Sequence, residues 1–277
     1  MKFKSGTFTG QKNLELFYRA YEPDGKSAAV LLLVHGLFEH SGRYINLMNY
    51  FVPRGYSFYT FDQRGHGQSA GKPGYVEKFS YYLDDLKTFF DIVRRENPLR
   101  KVFLAGHSIG GLIATEYSLQ HQKEFDGLII SGATFQPGTS ASKVEVFLGR
   151  ILSICAPWLG IDRLDASAIS RDKNVVDAYV HDPLVYRGKI TARLGIELLD
   201  AMHNFQSHMN DIRIPILIMS GTEDYLSDPK SSKVLFDSIS SKDKTLKYYD
   251  GFYHEIFNEP GSETVFVDME YWLATHL

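Results

Sequence analysis

Five residues, Gly106-His107-Ser108-Ile109-Gly110, constrain this chain more than any other feature, because they set a glycine-flanked serine between an apolar run at 102–105 and a helical pattern beginning near Gly111. A serine on so tight a strand-to-helix turn projects its hydroxyl into a cleft, and the glycines relieve the crowding the turn creates. The pentapeptide alone is short enough to occur by chance in a loop. The preceding strand and following helix supply the context that makes Ser108 a candidate nucleophile. The backbone N–H of Ile109 would point toward the same spot, at the N-terminus of a helix whose dipole favours negative charge. The complementary donor of an oxyanion hole belongs in the loop after an earlier strand. The run 30–34 followed by His35-Gly36-Leu37 fits that place, and the spacing predicts the N–H of Leu37.

A hydroxyl is a weak nucleophile at neutral pH, so Ser108 needs a histidine to take its proton and an acid to orient that histidine. The chain order for this kind of nucleophile is serine, then acid, then histidine. Residues 216–220 read as a buried strand followed by Gly221-Thr222-Glu223-Asp224, and residues 246–249 as another followed by Asp250-Gly251-Phe252-Tyr253-His254. Asp224 and His254 therefore complete the candidate triad. Glu223 and Asp228 are the nearest rival acids, and an acid after a strand is often only a helix cap. Of ten histidines only His254 follows the acid just past a terminal strand, and His276 lies almost at the end of the chain. The segment 62–69, rich in turn residues, reads as structural, with Asp62 and Arg64 hydrogen-bonding the loop.

The flanking pattern alternates strand and helix. Strands are expected at 30–34, 57–61, 102–105 and 127–131, after an opening stretch around 14–19. Apolar residues Phe79, Leu83, Leu86, Phe90 and Val93 recur at helical steps that stop before Pro98. Further helices are expected near 45–54, after the serine turn, through 230–238 and through 265–273. Such alternation implies an α/β architecture with a mostly parallel, doubly wound sheet and helices on both faces. It breaks between 134 and 213. That stretch is too long for a loop and carries helical patterns of its own, so it is expected to form a helical cap inserted before the strand that carries the acid. The core then comprises 1–133 and 214–277. The first part of the cap, 144–159, is unusually apolar but interrupted by Glu145, Arg150 and Pro157 and too short to span a bilayer. Two readings are open: packing on the core, or an exposed face that rests on a membrane or micelle.

With 277 residues and 44% hydrophobic content, the chain is long enough to bury about three quarters of its unfolded surface. A net charge of −3 and no Lys/Arg stripe argue against nucleic acid as a partner. The single cysteine, Cys155, cannot form an internal disulfide, and its apolar neighbours suggest a buried thiol. Residues 1–7 lack the apolar stretch of a signal peptide, which leads to an expected cytoplasmic address. No metal-spaced Cys/His cluster or phosphate loop is visible, so neither metal nor cofactor is expected.

Four segments resemble the monoacylglycerol lipases of the α/β-hydrolase fold: His35 to Tyr44, the Gly-His-Ser-x-Gly-Gly run at 106–111, the cap stretch 170–184, and Lys244 to His254. The resemblance includes the cap, the part that differs most among hydrolases of this fold. It implies hydrolysis of a monoacylglycerol or similar lipid ester to glycerol and a fatty acid, with the chain in a hydrophobic tunnel beneath a mobile cap. It favours the membrane-resting reading of 144–159, making the protein cytoplasmic with peripheral membrane contact. It also implies polar roles for Glu39, Arg43, His107 and Tyr179 around the pocket for the glycerol end, although Glu39 and Arg43 could equally be a structural pair fixing the oxyanion loop. The chain departs from the family in three places. Leu37 and Phe38 replace small residues after His-Gly, Phe257 stands where some members carry a second histidine, and Ser227 stands where they place a reactive cysteine.

The expected chemistry is acyl transfer through an acyl-enzyme, with activity falling toward acid pH around an apparent pKa of roughly 6 to 7. A triad does not specify the leaving alcohol, so a broader carboxylesterase or lysophospholipase is the main alternative. A ligand-binding protein on a hydrolase scaffold is a further one.

Overall fold

The computed structural model describes residues 1–135 and 143–277. In chain order the elements are β1 (Lys2–Thr9), β2 (Glu15–Glu22), β3 (Ala29–Val34), α1 (Ile45–Phe51), β4 (Tyr56–Phe61), α2 (Ser80–Glu96), β5 (Lys101–His107), α3 (Ile109–His121) and β6 (Gly127–Ser131). They continue as α4 (Lys143–Cys155), β7 (Gly160–Asp162), α5 (Lys173–His181), β8 (Ile190–Thr191), α6 (Ala192–His208), β9 (Ile216–Gly221), α7 (Lys230–Ser238), β10 (Lys244–Tyr249) and α8 (Glu263–Ala274). Eight strands form one sheet in the order β1-β2-β4-β3-β5-β6-β9-β10. The first two pairings, β1 with β2 and β2 with β4, are antiparallel, and every later pairing is parallel. This is the α/β-hydrolase architecture.

The central strands read as unbroken apolar runs because helices cover both faces of a parallel sheet. All six residues of β3, Ala-Val-Leu-Leu-Leu-Val, are buried. Alternate residues then serve opposite cores. Leu32, Val34, Leu104, Ile130 and Ile218 pack with Leu86, Phe89 and Phe90 of α2 and Leu112 and Ile113 of α3. Leu31, Leu33, Phe103, Ala105 and Leu217 pack with Leu47 and Phe51 of α1 and Val265, Met269 and Trp272 of α8. A one-residue slip in register would exchange the two sets, so the pairing is strongly specified.

This topology also fixes where chemistry can happen. From β3 the chain passes to β4 on one side, then crosses back to β5 on the other, so the loops leaving β3 and β5 diverge at their C-terminal ends. Open α/β sheets bind ligands in the crevice that such a reversal leaves.

Between β6 and β9 the chain leaves the sheet. Helix α6 packs on α3, burying Leu194, Ala201 and Phe205, and α4 packs in turn on the outside of α6. Arg150 of α4 reaches Asp200 of α6 at 2.5 and 3.0 Å. As the outer layer, α4 buries only its inner stripe. Phe147, Leu148, Ile151 and Ile154 remain exposed. Cys155, expected to be buried, is exposed as well: the apolar run that suggested burial is an amphipathic helix over which, among the described residues, no second layer packs. Residues 136–142, at the start of the expected cap, lie outside the described residues. Among the described residues no helix is long and apolar enough to cross a membrane. Strand β1 was not anticipated. It is an edge strand, exposed along most of its length, so it carries no clear apolar alternation.

Candidate active site

Strand β5 ends at His107 and α3 begins at Ile109, leaving Ser108 alone in the turn with φ of 54° and ψ of −122°. A non-glycine residue there costs about 1–3 kcal/mol, which the surrounding packing must offset. The glycines on either side permit it. A Cβ on Gly106 would collide with the backbone of Gly110, and one on Gly110 with the carbonyls of Val34 and His35. Helix α3 can therefore start directly against β3. The Ser108 N–H donates to the Ser131 carbonyl at 2.8 Å, tying the turn to β6.

Asp224, in the loop after β9, is buried and held from two directions. Its Oδ1 accepts the N–H groups of Leu226 at 2.9 Å and Ser227 at 2.8 Å, and its Oδ2 meets Nδ1 of His254 at 2.8 Å. The remaining nitrogen of His254 is left for the cleft, whose walls include both His254 and Ser108. Among the described residues no hydrogen bond joins the Ser108 hydroxyl to His254; such bonds commonly tighten only with substrate. Burial disfavours the charged imidazole, but Asp224, through its charge and its hydrogen bond, outweighs this and holds the His254 pKa above the ordinary value, with Glu255 and Glu39 adding to the shift.

The rival groups are engaged elsewhere. Glu223 is exposed and accepts from the Tyr225 hydroxyl at 2.7 Å. Asp228 caps the start of α7 through the Lys230 N–H at 2.9 Å. His276 pairs with Asp243 at 2.9 Å near the end of α8. The 62–69 segment is structural. Asp62 accepts the Ser41 and Gln68 N–H groups at 2.7 and 2.8 Å, and Arg64 grips Asp85 at 2.7 and 2.8 Å.

Leu37 shares the cleft with Ser108, and Ile109 opens α3 beside it. Neither N–H meets a protein acceptor among the described residues, so both donors remain available for a developing oxyanion. The next residue, Phe38, has φ of 67°, and its carbonyl accepts the N–H of Tyr186 at 2.9 Å. His40 Nε2 meets Asp182 Oδ2 at 2.9 Å. The loop that carries Leu37 is thus pinned to the segment after α5.

Of the polar residues singled out by resemblance, Glu39, His107 and Tyr179 line the same cleft. Glu39 accepts the Gly36 N–H at 2.5 Å and the Tyr44 hydroxyl at 2.6 Å. Arg43 stands behind this wall. Its Nη2 contacts both oxygens of Glu255 at 2.6 and 2.9 Å, its Nε is 3.5 Å from Glu39, and its guanidinium lies 4.8 Å from the centre of the Tyr179 ring. Burial first, and the neighbouring Glu255 charge second, push the Glu39 pKa up to about 7. Burial and the neighbouring His254 hold His107 well below the ordinary imidazole value, so it faces the cleft uncharged.

Glu255 was not foreseen. It is buried beside His254, and nothing local in the sequence links it to Arg43, 212 positions away. Its one signal was an acid set between His254 and the apolar pair Ile256-Phe257, an unfavourable place unless a cation waits there.

With this geometry, comparison with known proteins is specific. A family model described as serine aminopeptidase, S33 (Hydrolase_4) matches residues 25–261. The monoacylglycerol lipase of Mycolicibacterium smegmatis is 33% identical over 271 residues, 98% of this chain and 97% of that protein. The crystal structure of Paleococcus ferrophilus monoacylglycerol lipase superposes with a TM-score of 0.84 at 32% identity, covering 95% of this chain and 100% of that one. A soluble variant of Saccharomyces cerevisiae monoglyceride lipase in complex with a substrate analog gives a TM-score of 0.86 at 28% identity, covering 99% and 94%.

Proposed function

The chain belongs to the monoacylglycerol lipase family of α/β-hydrolases, and from that premise we propose that it cleaves monoacylglycerols to glycerol and a free fatty acid. The observation that carries this reading is His254, oriented by Asp224 and sharing one cleft with the strained Ser108 turn. Ser108 attacks the ester carbonyl while His254 removes its proton, and Asp224 stabilises the imidazolium. The N–H groups of Leu37 and Ile109 hold the oxyanion. Glycerol departs with the proton from His254, and water then releases the fatty acid by the same route.

In this reading 1–133 and 214–277 form the catalytic core and 134–213 the cap. Tyr179, Glu39 and His107 contact the glycerol end, and Arg43 supports them from behind. The exposed side chains of α4, with Trp158 and Leu159 just beyond it, rest on the membrane or micelle that supplies the substrate. The protein then works as a peripheral cytoplasmic enzyme.

Steady-state hydrolysis of monoacylglycerols, diacylglycerols, lysophospholipids, short p-nitrophenyl esters and an aminoacyl p-nitroanilide, with Ser108→Ala as the blank, tests the proposal. A clear kcat/KM preference for monoacylglycerols is the expected result. Preference for lysophospholipids or short esters would leave the triad standing and remove the lipid assignment. Turnover of the anilide alone would support the peptidase description attached to the family model.

A further inference from the structure

The polar end of the cleft holds an uneven set of charges. Two carboxylates, Glu39 and Glu255, line it, while the one guanidinium among them, Arg43, is not among its walls. Arg43 Nη2 is committed to both oxygens of Glu255, and its Nε faces Glu39 at 3.5 Å. Both carboxylates are buried, with relative exposures of 4% and 5%. Their remaining partners add no positive charge. Glu39 takes the Gly36 N–H and Tyr44 hydroxyl, and Glu255 takes the Asn258 amide at 2.8 Å. The groups packed around the pair are Tyr179 from α5, the uncharged His107 from β5, and the Asp224–His254 pair, which is itself net negative while His254 waits as a base. Buried like charges are weakly screened, so an incoming anion would meet net negative potential and, among the described residues, no lysine or arginine on the cleft wall.

We infer that Glu39, Arg43 and Glu255 form a charge filter for the leaving alcohol, accepting an uncharged polyol and rejecting an alcohol that bears an anionic group. Glu255 is the residue that sets the sign. Without it, one carboxylate and one guanidinium would balance, and Arg43 would be free to turn an N–H toward an anion. Ionised carboxylates accept hydrogen bonds, which suits the hydroxyl groups of glycerol and gives an anionic oxygen nothing. The inference rests on the proposed hydrolysis of acylglycerols and adds the chemical class of head group that the cleft refuses.

The test compares two esters of nearly equal size, ethylene glycol monodecanoate and O-decanoylglycolate, whose leaving alcohols differ in charge. The ratio of kcat/KM for the glycolate ester to that for the glycol ester is measured in wild type, Glu255→Gln and Glu255→Asp. Intrinsic ester reactivity cancels when ratios are compared between variants. Glu255→Gln is expected to raise the ratio by at least about tenfold, the effect of removing one nearby buried charge, while Glu255→Asp keeps it low. The wild type alone gives a second reading. Because the Glu39 pKa is pushed up to about 7, the ratio should climb as the pH falls from about 8 to about 6, where the glycolate carboxyl stays ionised. The loss of His254 as a base is common to both esters and drops out of the ratio. If Glu255→Gln fails to fold, that pH dependence decides the matter.

A ratio unchanged in Glu255→Gln and flat with pH, alongside good turnover of the glycol ester, would overturn the filter and leave the hydrolase reading intact. Absence of turnover for both the glycol ester and monoacylglycerols would overturn the filter together with the reading on which it rests.

Discussion

His254 must be neutral to take the Ser108 proton, so its pKa sets the acid limb of the activity profile. Asp224 holds that value above the ordinary imidazole value despite burial, which places the limb above that of a free histidine. Activity should therefore fall as pH drops through a value higher than that of free histidine, measured as kcat/KM on a short uncharged ester. A profile flat through this range would remove His254 as the base. Asp224→Asn should lower kcat by on the order of 10³- to 10⁴-fold, and Ser108→Ala by 10³-fold or more, with the fold retained by circular dichroism. Near-normal turnover by either variant would be incompatible with the proposed roles. The triad candidates were legible in the sequence because each closes a strand or a turn with its own local signature. Glu255 was not, since its meaning depends on Arg43, and only the folded β10–α8 connection brings the two together.

At the scale of elements, the central strands announce themselves because burial on both faces demands continuous apolar runs, and the helices because one stripe must be apolar. Strand β1 gave no such signal, and the run at 144–159 misled about Cys155, because a hydrophobic pattern reports amphipathicity and not which faces are later covered. The loop after β4 shows how differently two charged pairs on the same helix can matter. Asp85 of α2 is buried and binds Arg64 through two hydrogen bonds together with the Gln11 N–H. Removing one partner of such a pair strands a buried charge, so Asp85→Ala should cost about 3–5 kcal/mol in urea denaturation. Two residues on, Lys87 pairs with Asp91 at 2.6 Å in the open. Lys87→Ala should change stability by less than about 1 kcal/mol. Equal effects from the two substitutions would contradict the burial assigned to the Arg64–Asp85 pair.

For the molecule as a whole, an enzyme whose substrate lives in a bilayer or micelle must gain access to it without dissolving its own core. The outermost layer, α4 over α6, presents Phe147 at 63% and Ile154 at 75% exposure, and Trp158, just beyond α4, is 63% exposed. Each such side chain gains roughly 1–2 kcal/mol on leaving water for the interface, somewhat less than complete burial would give. The chain carries a net charge of −3, so attraction to anionic lipid adds nothing. Binding to phosphatidylcholine vesicles should consequently resist added salt, and a Phe147→Ser, Ile154→Ser, Trp158→Ser variant should bind on the order of 10²- to 10⁴-fold more weakly in a flotation assay. The variant should keep its turnover of a water-soluble short ester while losing turnover of vesicle-borne monoacylglycerol, because the substituted side chains lie on the outer layer and not in the cleft. If vesicle binding survives the triple substitution, the apolar face of α4 serves some other contact, and substrate must reach Ser108 from solution.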